Sequence, residues 1–298
     1  MNVLPEPLRW LVAGWCFAVG AVVGSFLNVV ISRVPAGESI VRPWSRCPAC
    51  LEPIAWQDNV PVLSWVLLRG RCRSCRAPIS WRYPLVELLG GGAAMVALSR
   101  HGLSLHALAE FAFAATLLAL SFIDLDTWTL PHAITFPLLG AGVLLSALHL
   151  TPAATFTGSI AGGAAGWIGF AAVAFLGERL LRKEALGFGD VWLLAAIGAW
   201  LGLAPLLPVV LLASLQGTVV GVALILLGRA QPGEAPREAA PASEAVGVEP
   251  GLPSGGDDDW VPPRNAVPFG PFLAAGALEW LWLQGWITAL VPALKLFT

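Results

Sequence analysis

Two aspartates stand where a long apolar segment meets a short polar break. They are Asp124 in Phe122-Ile-Asp-Leu-Asp-Thr-Trp-Thr-Leu-Pro131 and Asp190 in Leu186-Gly-Phe-Gly-Asp190. A carboxylate beside hydrocarbon is costly to keep charged, so it needs a partner or a chemical task. Two such groups facing one water repel each other and are partly desolvated, which holds one proton between them. One carboxylate then serves as base and one carboxylic acid as donor, the chemistry of aspartic peptide hydrolysis, with no covalent enzyme intermediate.

Four of the five cysteines form a second constellation, Cys47-Pro-Ala-Cys50 and Cys72-Arg-Ser-Cys75, with 21 residues between the pairs. Two CxxC turns present four thiolates to one tetrahedral ion, and zinc in such a setting stabilises a segment too small to build its own core. Four thiolates leave no open coordination position, so the ion organises the chain and does not attack a peptide. Iron is the rival metal. Stable disulfides are disfavoured in a cytoplasmic loop, and a redox motif needs only one pair. Cys16 reads as a small apolar residue inside a membrane span.

The elements that must position these groups follow from composition. Of 298 residues 57% are hydrophobic and 12% charged, and the mean hydropathy is +0.74, which excludes an ordinary water-soluble globule. The expected fold is an all-α polytopic membrane protein of about eight transmembrane helices with a small cytoplasmic zinc-binding domain. Apolar segments run roughly over residues 10–31, 84–98, 105–123, 131–150, 158–181, 191–203, 206–227 and 267–294, against a hydrocarbon core of ~30 Å. The first lacks a small-residue cleavage site and reads as a retained span, not a removed signal.

Eight of the 17 Lys and Arg residues lie between the first two spans, and cationic loops stay cytoplasmic. Eight spans starting outside put fourteen of the 17 inside, leaving Arg9, Arg100 and Lys295 outside. The same count places both aspartates at the cytoplasmic face. The expected division is a first span over 1–31, the tetracysteine domain over 32–83, a transmembrane peptidase core over 84–227, an acidic loop over 228–264 and a final span over 265–298. The loop is rich in Pro, Ala, Glu and Gly and lacks the periodicity needed to bury a core, so no fixed fold is expected there.

Several further motifs accompany these groups: Gly24-Ser-Phe-Leu-Asn-Val-Val30, Asp58-Asn-Val-Pro-Val-Leu-Ser-Trp65, Leu68-Arg-Gly-Arg-Cys72, Pro78-Ile-Ser-Trp-Arg-Tyr-Pro-Leu-Val-Glu-Leu-Leu89, Gly187-Phe-Gly-Asp190 and Pro268-Phe-Gly-Pro-Phe-Leu273. In order and topology they resemble the bacterial type IV prepilin peptidases, aspartic peptidases with a GxGD element, over nearly the whole chain. The resemblance implies an inner-membrane enzyme that cleaves the basic leader of type IV prepilins or pseudopilins. It also implies methylation of the new amino terminus with S-adenosylmethionine, on residues that the sequence does not reveal. The family's catalytic aspartates fall on Asp124 and Asp190. Asp126, the nearby competitor, reads as a helix cap or a water-facing group.

Partners are then the leader-bearing substrate and the lipid bilayer, with no nucleic acid; the sequence does not reveal the oligomeric state. Two departures stand out, Trp192 where the family often has Lys, and His132 where an acidic residue often follows Leu-Pro. The same residues admit other readings: a peptidase without methyltransferase activity, or a transporter or assembly subunit with a zinc knuckle whose aspartates relay protons.

Overall fold

The computed structural model describes residues 5–151, 155–181, 186–227 and 267–297. Helices dominate: α1 (Glu6–Arg33), the short α2 (Leu63–Leu67), α3 (Arg82–His101), α4 (Leu105–Thr127), α5 (His132–Ala147), α6 (Phe156–Leu181), α7 (Phe188–Leu201), α8 (Leu206–Leu226) and α9 (Gly270–Leu290). Each expected apolar segment coincides with one of the long helices. Among the described residues there is no strand, and the only bridges are Arg46 with Pro53 and Arg71 with Pro78. By length and composition α1, α4, α6 and α8 are able to cross a membrane, whereas α5 and α7 are shorter apolar helices. The expected acidic loop, 228–264, lies outside the described residues.

The chain divides into a large unit, residues 1–214 and 268–298, and a small one, 215–267. The described part of the small unit is the second half of α8 with Leu227 and Val267. The large unit holds both candidate sites. Its centre is α7, where every residue from Asp190 to Leu201 except Trp192 is buried. A helix that is apolar on all sides has no face for water, and here α5, α6 and α9 enclose it.

Close approach does much of this packing. A Cβ on Gly162 would stand 2.3 Å from the carbonyl oxygen of Gly198, so α6 and α7 touch backbone to backbone where only glycine fits. Buried polar atoms are satisfied across helices: Ser159 Oγ donates to the Ala199 carbonyl at 2.6 Å, and Trp200 Nε1 to the Leu138 carbonyl at 2.7 Å. The Trp200 ring also stacks on Phe113 at 4.8 Å. A second cluster, Leu27, Ile31, Val86, Ala115, Ala119 and Ile123, joins α1, α3 and α4. Cys16 in α1 is half-buried, as a small apolar residue on a packed helix can be.

At the far end of α4, Glu110 is fully buried. It accepts from His101 at 2.7 Å and from Trp282 Nε1 at 3.0 Å, and pairs with Arg100 at 3.1 Å. This knot ties the α3–α4 turn to α9.

Candidate active site and metal centre

Asp124 lies in the last turn of α4 and faces inward at 5% exposure, while its neighbours Leu125, Asp126 and Thr127 are exposed. The helix stops just beyond it. Trp128 adopts a left-handed conformation with φ 56, and its N–H caps the Asp124 carbonyl at 2.9 Å. Pro131, fixed in an extended φ/ψ, then launches α5. The short break between the helices therefore leaves the Asp124 side chain at a helix end.

Asp190 stands at the opposite kind of end. Gly187 is the extended N-cap of α7, and Asp190 occupies the first turn at 8% exposure. An anion there is favoured by the positive end of the helix dipole. Asp124, at the unfavourable end of its own helix, has a matching arrangement from elsewhere: the first N–H of α9, that of Gly270, donates to Asp124 Oδ2 at 3.1 Å. Two helix N-termini thus meet two buried carboxylates.

The aspartates are near enough for the Asp124 charge to act on Asp190. Leu130 links the two places. Its side chain lies 3.0 Å from where a Cβ on Gly189 would stand and 3.4 Å from where one on Gly270 would. The absence of a side chain at Gly189, within the GxGD element, therefore admits Leu130. Asp190 Oδ1 is buried without a hydrogen-bond partner among the described residues. A bare carboxylate oxygen beside a second carboxylate is positioned to accept a proton from water.

Asp126, by contrast, is exposed and pairs with Arg82 Nη1 at 2.6 Å. His132 opens α5 and stacks on Phe136 at 4.7 Å. Trp192 sits among Phe136, Trp167 and Phe188, with ring centroids 4.8 to 6.3 Å away. Both departures from the family pattern thus join one aromatic cluster beside Asp190.

The four cysteines converge as their spacing requires. Their sulfurs all lie within 4.8 Å of one another, and Cys47 Sγ is 3.8 Å from Cys75 Sγ. A tetrahedral ion with ~2.3 Å bonds to sulfur sets its ligands about 3.8 Å apart, so this donor set can hold a metal ion. Each half is the same turn. Leu51 N–H donates to the Cys47 carbonyl and Arg76 N–H to that of Cys72, and both Leu51 and Arg76 have positive φ. Backbone N–H groups of Cys50 and Ala49 point at the Cys47 sulfur and bring its thiol down to about 7, which favours the thiolate that a metal needs.

Asp58 clamps the second turn by accepting from Arg73 Nε at 2.7 Å and Nη2 at 2.5 Å. That hydrogen bond holds the Asp58 carboxyl below its ordinary range.

The sequence left three of these features unassigned. Gly270 was visible only as part of a motif, because nothing local announces a partner 146 residues away. The clamp of Asp58 on Arg73 was equally silent. The doubled turn was legible, since Arg-Cys-x-x-Cys-x-x-Pro-Ile occurs at residues 46–54 and again at 71–79.

Comparison with known proteins follows this division. Residues 18–101, which hold the four cysteines, match the model described as the bacterial peptidase A24 N-terminal domain. Residues 111–222, which hold both aspartates, match that of the type IV leader peptidase family. A Myxococcus xanthus (strain DK1622) protein named prepilin leader peptidase/N-methyltransferase is 41% identical, over 97% of this chain and 96% of its own length. Proteins of the same name from Burkholderia pseudomallei (strain 1026b) and Klebsiella pneumoniae are 36% and 41% identical, covering 88% and 71% of this chain and 82% and 96% of their own. No solved structure matches. With its two halves matched in order and near-complete coverage at 41% identity, the chain belongs to the type IV leader peptidase family.

Proposed function

We propose that this membrane protein is an aspartic endopeptidase that removes the leader of type IV prepilins or pseudopilins and then methylates the amino terminus it exposes, with S-adenosylmethionine as methyl donor. The observation that carries the hydrolytic reading is the meeting of Asp124 and Asp190, two buried carboxylates at helix ends, one of them with an unpartnered oxygen. One aspartate takes a proton from water as it attacks the scissile carbonyl, while the other donates a proton or hydrogen bond to that carbonyl. The roles reverse as the amine leaves.

Zinc on Cys47, Cys50, Cys72 and Cys75 would close the 32–83 segment into a small cytoplasmic domain. The remaining divisions are spans over 1–31 and 265–298, a peptidase core over 84–227 and the acidic loop over 228–264. The arginine-rich first loop supports an inner-membrane protein whose aspartates face the cytoplasm, where a basic leader would reside.

The test is leader cleavage by purified protein in detergent. Asp124→Asn and Asp190→Asn each lower cleavage by at least ~100-fold, the scale of a lost general acid or base, while the protein remains inserted and folded. Asp126→Asn stays active, because Asp126 is exposed and its ion pair with Arg82 is partly solvated. Substantial cleavage by either of the first two variants sinks the assignment.

A further inference from the structure

Methyl transfer, the second activity in the relatives' names, needs a pocket that a hydrolytic carboxylate pair does not supply. A cavity of about 510 Å³ opens between the end of α1, the start of α3 and the four-cysteine loop. Small-molecule sites fall in the range of roughly 300–1,000 Å³. All its lining residues lie between Ser25 and Glu87, inside the segment matched by the N-terminal domain and outside the peptidase segment.

We propose that this cavity binds S-adenosylmethionine and that Glu87 supplies the negative charge facing its sulfonium; the inference rests on the methyltransferase part of the reading above. Of the acids lining the cavity, Asp58 is neutralised by Arg73 and Glu52 is exposed. Glu87 is different. It is 8% exposed, sits in the wall formed by α3 and has no ion-pair partner among the described residues. A buried charge without a counter-charge is costly, and a bound cation removes that cost.

The backbone donor to Glu87 is itself strained. Val62 N–H reaches Glu87 Oε2 at 2.7 Å from a residue with φ 61, a conformation that β-branched side chains avoid. Such strain persists where the surroundings over-determine it and clusters at ligand clamps.

The other walls suit an adenosyl group. Trp65 and Tyr83 line the cavity, and aromatic side chains are the residue types that hold a base or a cation. The Asn28 amide donates to the Gly24 and Tyr83 carbonyls, which leaves its oxygen open as an acceptor. The cavity is also tied to the aspartates. Arg82, next to Tyr83, donates to Asp126 and to the Phe122 carbonyl at 3.2 Å, bracketing Asp124 on α4.

Arg82 thus joins the helix that forms the cavity wall to the helix that carries Asp124, and the methyl acceptor is the amine released there. In the transfer its lone pair attacks the methyl carbon, and the carbon–sulfur bond breaks with its electrons kept by sulfur. The sulfonium becomes a neutral thioether, and the alkylammonium formed loses a proton to solvent.

That loss of charge on sulfur supplies the test. Binding of S-adenosylmethionine and of its thioether product, S-adenosylhomocysteine, is measured by equilibrium dialysis on the full-length protein in detergent, together with methylation, cleavage and metal content. For Glu87→Gln the sulfonium ligand should weaken by about tenfold and the thioether by less than about twofold, as expected when one carboxylate acts on one cation. Methylation should fall in step with donor binding at unchanged metal content.

Equal weakening of both ligands would mean that Glu87 only shapes the fold and would overturn the proposal. Unchanged donor binding and methylation would place the donor elsewhere. A raised KM for leader cleavage with donor binding intact would assign the cavity to the basic leader instead. A wild-type protein that cleaves but neither binds the donor nor methylates would remove the methyltransferase reading itself. Should Glu87→Gln fail to fold, ultraviolet crosslinking of labelled S-adenosylmethionine to the wild type decides the matter: a labelled peptide within residues 25–87 supports the proposal, and one outside overturns it.

Discussion

Replacing Gly270 with Ala tests the geometry around Asp124 more sharply than removing the carboxylate does. Gly270 begins α9 and donates its N–H to Asp124 Oδ2 at 3.1 Å. An added Cβ would stand 2.5 Å from that same oxygen, whereas ordinary contact begins at 3.4 Å, so the carboxylate or the helix must retreat by about 0.9 Å. Helix propensity opposes no such change, since Ala is favoured over Gly by ~1 kcal/mol in a helix. The protein should therefore fold with its titrating groups present and its reacting geometry displaced.

A misplacement of ~1 Å in a catalytic constellation can cost on the order of 100-fold in rate, about 2.7 kcal/mol of barrier. The assay is kcat/KM for leader cleavage in detergent, with thermal unfolding followed in parallel. Gly92→Ala is the control, because nothing lies within 4 Å of its new Cβ. Gly270→Ala retaining cleavage within about threefold of wild type, while Asp124→Asn is inactive, would refute the reasoning that links this contact to a ~100-fold loss.

Three further outcomes are expected. Elemental analysis should find about one metal ion per chain, most of it zinc, and Ser at any of Cys47, Cys50, Cys72 or Cys75 should lower metal content and make residues 32–83 more sensitive to protease. Glu110→Ala should lower stability by ~3 kcal/mol, because it strips a fully buried carboxylate from its Arg100, His101 and Trp282 partners, with residual cleavage per folded molecule unchanged. The Asp58 carboxyl is held below its ordinary range by Arg73, so its contribution is present at neutral pH and lost as pH falls through the folded-state value. Asp58→Asn should remove that acid-side loss from an unfolding series in pH, and an unchanged profile would speak against the clamp.

The aspartates, the cysteines and the long helices were legible because each rests on local chemistry. Hydrocarbon thickness sets the length of an apolar segment, Gly and Pro mark where helices break, and a CxxC turn brings two thiolates together within four residues. The doubled Arg-Cys-x-x-Cys-x-x-Pro-Ile unit belongs with these. Asp126 could be separated from Asp124 because Asp124 adjoins the apolar span and has the spacing of the family that the sequence resembles.

What the tertiary structure decided was which helices meet. The helix α7 is apolar on every side, so its sequence carries no stripe to say which neighbour lies where. Among membrane helices lipid is as apolar as a packed interior, and partner choice falls to close backbone approach and scattered polar bonds. Gly162 against Gly198, Ser159 reaching the Ala199 carbonyl and Trp200 reaching the Leu138 carbonyl are such choices. The Gly270 N–H on Asp124, the Val62 N–H on the buried Glu87 carboxyl and the Arg82 bridge to α4 follow from those encounters. Each joins residues dozens to more than a hundred positions apart, and no spacing rule along the chain reaches that far.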